Sequence, residues 1–157
     1  MRKPWNIPDF PVYSLSTQMA GKANMNICTY VSAVSMKPKI YMIAAYQNTQ
    51  TLTNLESSDT AVLQLLEQSQ FGLVKHLGKM SGARFDKISW LRKRGVLEDW
   101  MGFPVISNVC SLVLLKKTKT IRFAGDHVLF LFSVEKNKVF SENYLTTGIL
   151  KNKNIIR

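Results

Sequence analysis

The chain has 157 residues, 46% of them hydrophobic and 20% charged, a composition that excludes a disordered chain and fits a globular one. Its length is most simply a single domain, 1–157, able to bury a proper core, and no stretch approaches the roughly 18 consecutive apolar residues of a spanning helix. The net charge of +11 gives a surface that attracts polyanions: nucleic acid, an anionic membrane or a phosphorylated small ligand.

The opening MRKPWNIPDFPVYS carries basic residues but no apolar h-region, so no secretory signal is expected and the cytoplasm is the expected compartment. Pro8 and Pro11 make an irregular start before a first strand over 12–18. Ala20-Gly21-Lys22 is turn chemistry. Residues 25–36, MNICTYVSAVSM, predict a second strand, ended by Lys37-Pro38 because proline lacks a ladder donor. Its hydroxyls at Thr29, Ser32 and Ser35 recur three apart and so fall on both faces, against the alternation of a half-exposed strand. Residues 40–46 (IYMIAAY) form a third strand, apolar on both faces, and 48–58 read as a loop and short helix with Thr49 or Thr51 available as cap.

Residues 61–66 (AVLQLL) predict a fourth strand with Gln64 embedded in it. Phe71, Leu73, Val74 and Leu77 place an amphipathic helix over 69–77, with Gly78 as its C-cap. A more polar helix is predicted over 81–94. Gly102-Phe103-Pro104 breaks the chain before a strand near Val105, and 109–116 form a longer strand. Gly125-Asp126 turns into a strand over 127–134, and Asn137 permits another turn. The core is expected over about 10–140, followed by a basic tail, 141–157.

Fifteen of the 21 Lys/Arg and six of the ten acids lie from Lys79 onward, with basic clusters at 92–94, 116–122 and 151–153. Each cluster alone reads first as a solvated face. Cys28 and Cys110 lack CxxC spacing, which argues against structural zinc and against a disulfide framework. Strands apolar on both faces, in close succession and without a helix after each, fit a mainly β fold better than a parallel βαβ series. The expectation is a split antiparallel β-barrel of Greek-key type with a few short α-helices.

The ordered motifs resemble the flavin reductase-like, FMN-binding split-barrel family. Residues 26–38, NICTYVSAVSMKP, look like its second strand, and 46–54, YQNTQTLTN, like its loop ending in Thr-x-x-Asn before a helix. Residues 61–66 with Gln64, Ser81-Gly82 followed by Asp86-Lys87, and Gly125-Asp126-His127 are similar to further family segments in the same order. Together they span about residues 20–135.

The resemblance implies an isoalloxazine lying across the barrel wall near a homodimer interface. Position by position, it implies that Asn26, Ile27, Cys28, Thr29 and Tyr30 contact the ring or ribityl chain, and that Tyr46, Asn48 and Thr51 lie near the phosphate. Lys87 would balance the phosphate or a nicotinamide dinucleotide, and His127 would touch nicotinamide or shield the flavin. Structural alternatives stand beside these: Asn26 as a turn end, Tyr30 as a core aromatic with a wet tip, Thr51 as a helix cap, Lys87 as a surface lysine and His127 as a turn histidine. His76 is expected to be a partly exposed structural residue.

The implied activity is hydride transfer from NAD(P)H to FMN, FAD being possible, with an oxygenase or other electron acceptor as onward partner. No Rossmann GxGxxG is present, so nicotinamide would bind transiently over the flavin. The alternatives are an FMN-binding electron carrier or storage protein and, third, a basic nucleic-acid-binding barrel. Against the third, the basic clusters are not interleaved with aromatics that could stack on bases.

Overall fold

The computed structural model describes residues 3–156. Nine strands and four short α-helices follow one another as β1 (Tyr13–Met19), β2 (Lys22–Cys28), β3 (Val31–Met36), β4 (Lys39–Tyr46), α1 (Gln50–Ser57), β5 (Thr60–Leu65), α2 (Val74–Lys79), α3 (Lys87–Lys93), β6 (Leu97–Trp100), β7 (Phe103–Ile106), β8 (Ser111–Ile121), β9 (His127–Val139) and α4 (Thr147–Asn152). Seven strands form one sheet in the order β2-β1-β5-β8-β9-β4-β3, every neighbour antiparallel. The strands β6 and β7 pair separately as a hairpin.

β2 and β3 are consecutive in the chain yet occupy opposite edges of the sheet. The barrel is therefore closed by the covalent chain crossing at Thr29-Tyr30, and no hydrogen-bonded ladder joins its edges. This is a split antiparallel β-barrel, and it corrects the single strand expected over 25–36: the ladder to β1 ends at Cys28, and pairing with β4 begins at Val31.

Two cores explain the strands that are apolar on both faces. Leu15, Leu63, Leu115, Phe130 and Phe132 fill the barrel, with Leu55 of α1 among them. Val12, Met25, Val62 and Leu66 point the other way and pack on residues of α2, α3, the β6–β7 hairpin and α4, such as Leu77, Leu91, Val105 and Leu150. Several polar side chains buried in these strands tie the layers together, although the buried Ser14 hydroxyl finds no partner among the described residues. Ser16 Oγ donates to the Pro104 carbonyl (2.8 Å), Gln64 Oε1 accepts from the Ile106 N–H (2.6 Å), and Asn54 Nδ2 donates to Thr17 Oγ1 (3.0 Å). Lys117, inside the basic cluster 116–122, donates to the Leu55 and Ser58 carbonyls and pairs with Asp59 at 3.5 Å, so it closes the C-terminus of α1 and is not a free surface charge.

Several expected boundaries move. The helix expected over 69–77 begins as a 3-10 turn (Gln68–Leu73), and Gly78 lies inside α2, whose C-cap is Met80. Of the helix expected over 81–94 only α3 forms, started where the Asp86 side chain accepts from the Ser89 N–H. Asn137 is no turn: it pairs with Val113 inside β9. The core continues beyond residue 140, because Leu145 and Leu150 are buried and Val12 donates to the Leu145 carbonyl. None of the described helices is long and apolar enough to cross a membrane.

Replacing Gln64 by Ala orphans the buried Ile106 N–H and leaves a cavity between β5 and β7. Chemical denaturation is expected to record a loss of about 2–4 kcal/mol.

Candidate functional site

Where β2 and β3 part, the sheet edges leave a groove. Its centre is a cleft of about 260 Å³ lined by residues 26–30 of the crossing, by Ile43, Ala44, Ala45 and Tyr46 of β4, and by Leu15, Thr51 and His127. One end opens into a polar cleft of about 340 Å³ that shares Asn26, Ile27, Tyr46 and Thr51. The other end opens into a shallow apolar compartment of about 560 Å³ that shares Thr29, Tyr30, Ala44 and His127.

The polar end is built around the N-terminus of α1. Thr49 is its cap: its Oγ1 accepts from the Leu52 N–H at 3.2 Å and donates to the Tyr46 carbonyl at 2.8 Å. The cap role open to Thr51 therefore falls to Thr49. Thr51 is buried in the first turn, where its Oγ1 accepts from Asn24 Nδ2 at 3.4 Å. Asn48, just before the cap, takes φ +60°, a left-handed conformation that asparagine tolerates. The turn brings Gln50 and Thr51, the first residues of α1, to the wall of the polar cleft.

Opposite them stand Ser81, Gly82 and Lys87. Gly82 lies so close to the α1 side that a Cβ there would run into the Asn24 amide. Lys87 is 4% exposed. Its Nζ donates to the Leu77 carbonyl at 2.5 Å, which ties α3 to α2, and burial pushes its pKa down to about 8. A lysine ammonium has three donors, and one carbonyl uses one of them.

The central cleft is walled by aromatic rings. His127 lies 5.1 Å from the Tyr30 ring and 5.2 Å from Tyr46, edge-on to the latter. Its Nδ1 lies 2.6 Å from Asp126 Oδ1. This contact fixes the orientation of the imidazole at the cleft wall. The Cys28 thiol is pushed up to about 12 by burial, which removes it as a nucleophile at neutral pH. His76 lies outside the groove, stacked on Trp90 at 4.3 Å.

The fold thus brings every sequence-predicted site residue to one groove: Asn26, Ile27, Cys28, Thr29, Tyr30, Tyr46, Thr51 and His127 line its centre, and Asn48 and Lys87 its polar end. The surface position weighed for Lys87 is corrected, because α2 and α3 enclose it. Sequence reasoning left out Gly82 and Ser81, although Ser81-Gly82 was among the family-like segments. It also left out Phe10 and Phe123 of the apolar compartment, which no local signal marks.

The profile of the flavin reductase like domain matches residues 9–154, and the chain belongs to that family. The fold is shared with solved structures at low identity. An FMN-binding protein from Thermus thermophilus with bound 1-cyclohex-2-enone is 17% identical, with a TM-score of 0.77 over 88% of this chain and 75% of that one. The flavin reductase PheA2 in its native state is 21% identical, with a TM-score of 0.74 over 88% and 85%. The NADH:FAD oxidoreductase SgcE6 of Streptomyces globisporus C-1027, in complex with NAD and FAD fragments, is 17% identical, with a TM-score of 0.74 over 87% and 78%. No curated protein matches the sequence.

Lys87 gives the groove a pH signature. The unfolded chain holds this proton up to about pH 10.5 and the folded chain only to about 8, so the penalty is full below pH 8 and fades as pH rises through that window. Relative to Lys87→Met, the wild type is expected to gain roughly 3 kcal/mol between those limits, read from denaturant midpoints across the pH series.

Proposed function

We propose that this protein is a flavin oxidoreductase that holds FMN in the groove and takes hydride from NAD(P)H. The observation that carries the reading is the ordering of chemistry along one continuous groove: a buried cation and helix N–H groups at one end, an aromatic-walled cleft at the centre and an apolar compartment beyond. The donor set fits a phosphate monoester. Lys87 supplies charge, Gln50 and Thr51 belong to the first turn at the helix N-terminus, and Gly82 lets its segment pack directly on Asn24 and Gln50 at the cleft wall.

In this reading Lys87 and the start of α1 anchor the phosphate, and residues 26–30 hold the ring edge with backbone groups that the split leaves without ladder partners. The bound flavin supplies a two-electron acceptor, which none of the protein's side chains provides. The protein's own contribution is alignment. His127, steadied by Asp126, and Tyr30 stand where the central cleft meets the apolar compartment, so they position the incoming nicotinamide and keep water away.

The test is a titration of purified protein with FMN, followed by anaerobic mixing with NADH and with NADPH. Prompt bleaching of bound FMN supports the reading, bound FMN that neither nucleotide bleaches turns it toward an electron carrier, and no FMN binding overturns it. Lys87→Met is expected to weaken FMN about 10- to 100-fold while leaving riboflavin unaffected, because only the phosphate meets the charge.

The groove is open beside Tyr30, 57% exposed, and the neighbouring edge strand β3 presents Val34 and Met36, the latter 87% exposed. A homodimer that covers this edge completes the site. Sedimentation equilibrium is expected to give twice the chain mass, and Val34→Asp combined with Met36→Asp to give the monomer.

A further inference from the structure

The apolar compartment differs from the rest of the groove in charge and in how its wall is held. Among the described residues no lysine or arginine lines it, and the carboxylate at its rim is that of Asp126. Phosphates are therefore disfavoured there and an uncharged planar ring is favoured. Part of its wall is Phe123, a residue 52% exposed even though it lines a ligand-sized cavity.

That ring is fixed from below. It lies flat enough over Gly125 that a Cβ at residue 125 would overlap it. The intervening turn closes where the Gly125 N–H donates to the Phe123 carbonyl at 2.9 Å. Gln47 then pins the loop twice: its Nε2 donates to the Gly125 carbonyl and its backbone N–H to the Asp126 carbonyl, both at 2.9 Å. Gln47 sits between Tyr46 and Asn48 of the groove, so the connection that presents α1 to the polar end also fixes the Phe123 wall at the other.

We propose that Phe123 is a specificity-determining residue for the hydride donor. Held over Gly125, its ring packs against the nicotinamide ring while His127 and Tyr30 bound the opposite side, and the donor's phosphates stay outside this compartment. The proposal rests on the flavin oxidoreductase reading and adds to it the residue that selects the second ligand's ring.

The test uses FMN-loaded protein and tetrahydro-NADH, which binds without reducing, so the readout is a dissociation constant and not turnover. Phe123→Ala is expected to weaken this analogue about three- to tenfold, the worth of one aromatic contact, with FMN affinity unchanged. Phe123→Tyr is expected to restore it. Gly125→Ala should behave like Phe123→Ala, since the added methyl displaces the ring; if that variant misfolds, Phe123→Ala carries the test alone. N-benzyl-dihydronicotinamide, a donor without phosphates, should lose the same factor in KM as NADH. An unchanged analogue affinity in FMN-loaded Phe123→Ala overturns the proposal and leaves the reductase reading intact. So does a loss confined to NADH, which would place Phe123 against the adenosine half, or a shift to monomer with ligand affinity preserved. Failure of the wild type to bind FMN removes the underlying reading, and the proposal with it.

Discussion

The gap between β2 and β3 is the constraint on which the rest of the molecule depends. Backbone N–H and C=O groups removed from water must find partners, and a sheet edge is a row of such groups. Here two consecutive strands sit on opposite edges, so one short crossing has to leave one ladder and enter another. Of that crossing, the Tyr30 carbonyl is taken up by the Ala44 N–H at 3.0 Å. A groove forms because the barrel wall stops short there. Any ligand in it meets a backbone that the fold has left available.

Much of the architecture follows from strands buried on both sides. Runs such as 61–66 are legible because a strand with two cores has no polar face to show. The break at residues 29–30 is not legible: Thr29 and Tyr30 are good strand formers, and only the geometry of closure separates β2 from β3. Tertiary pairing also overrides local turn chemistry at Asn137, which the β8–β9 ladder holds extended. The β6–β7 hairpin hides behind Glu98 and Asp99, acids that a strand rarely carries side by side. Its turn is made by Met101 and Gly102, both at positive φ. In the site, the ordered family-like segments mark the lining residues well. The wall at Phe123 escapes because its place depends on Gly125 beneath it and on Gln47, 78 residues from Gly125 in sequence.

The hydroxyls spaced three apart now divide by element. Thr29 belongs to the crossing and lines the groove, whereas Ser32 and Ser35 lie on β3. The spacing of three crosses the junction between Thr29 and Ser32, and crosses a register shift inside β3 between Ser32 and Ser35. The basic surface divides in the same way. Lys117 closes α1 and Lys87 ties α2 to α3, so part of the positive charge also holds the fold together.

The buried charge of Lys87 supports the proposed reading of the polar cleft as a binding site and not as a structural tie alone. A neutral donor would satisfy the Leu77 carbonyl without carrying a charge out of water, and burying an ammonium costs stability wherever it remains protonated. That cost is visible in a pKa pushed down to about 8. The protein keeps the cation in the same cleft as a helix N-terminus, an arrangement whose electrostatics favour an anion. A phosphate docked there would raise the Lys87 pKa again and offset part of the cost of burying the ammonium, so binding and stability would be coupled through one side chain. The same lysine without the helix terminus opposite it would be only an expensive strut.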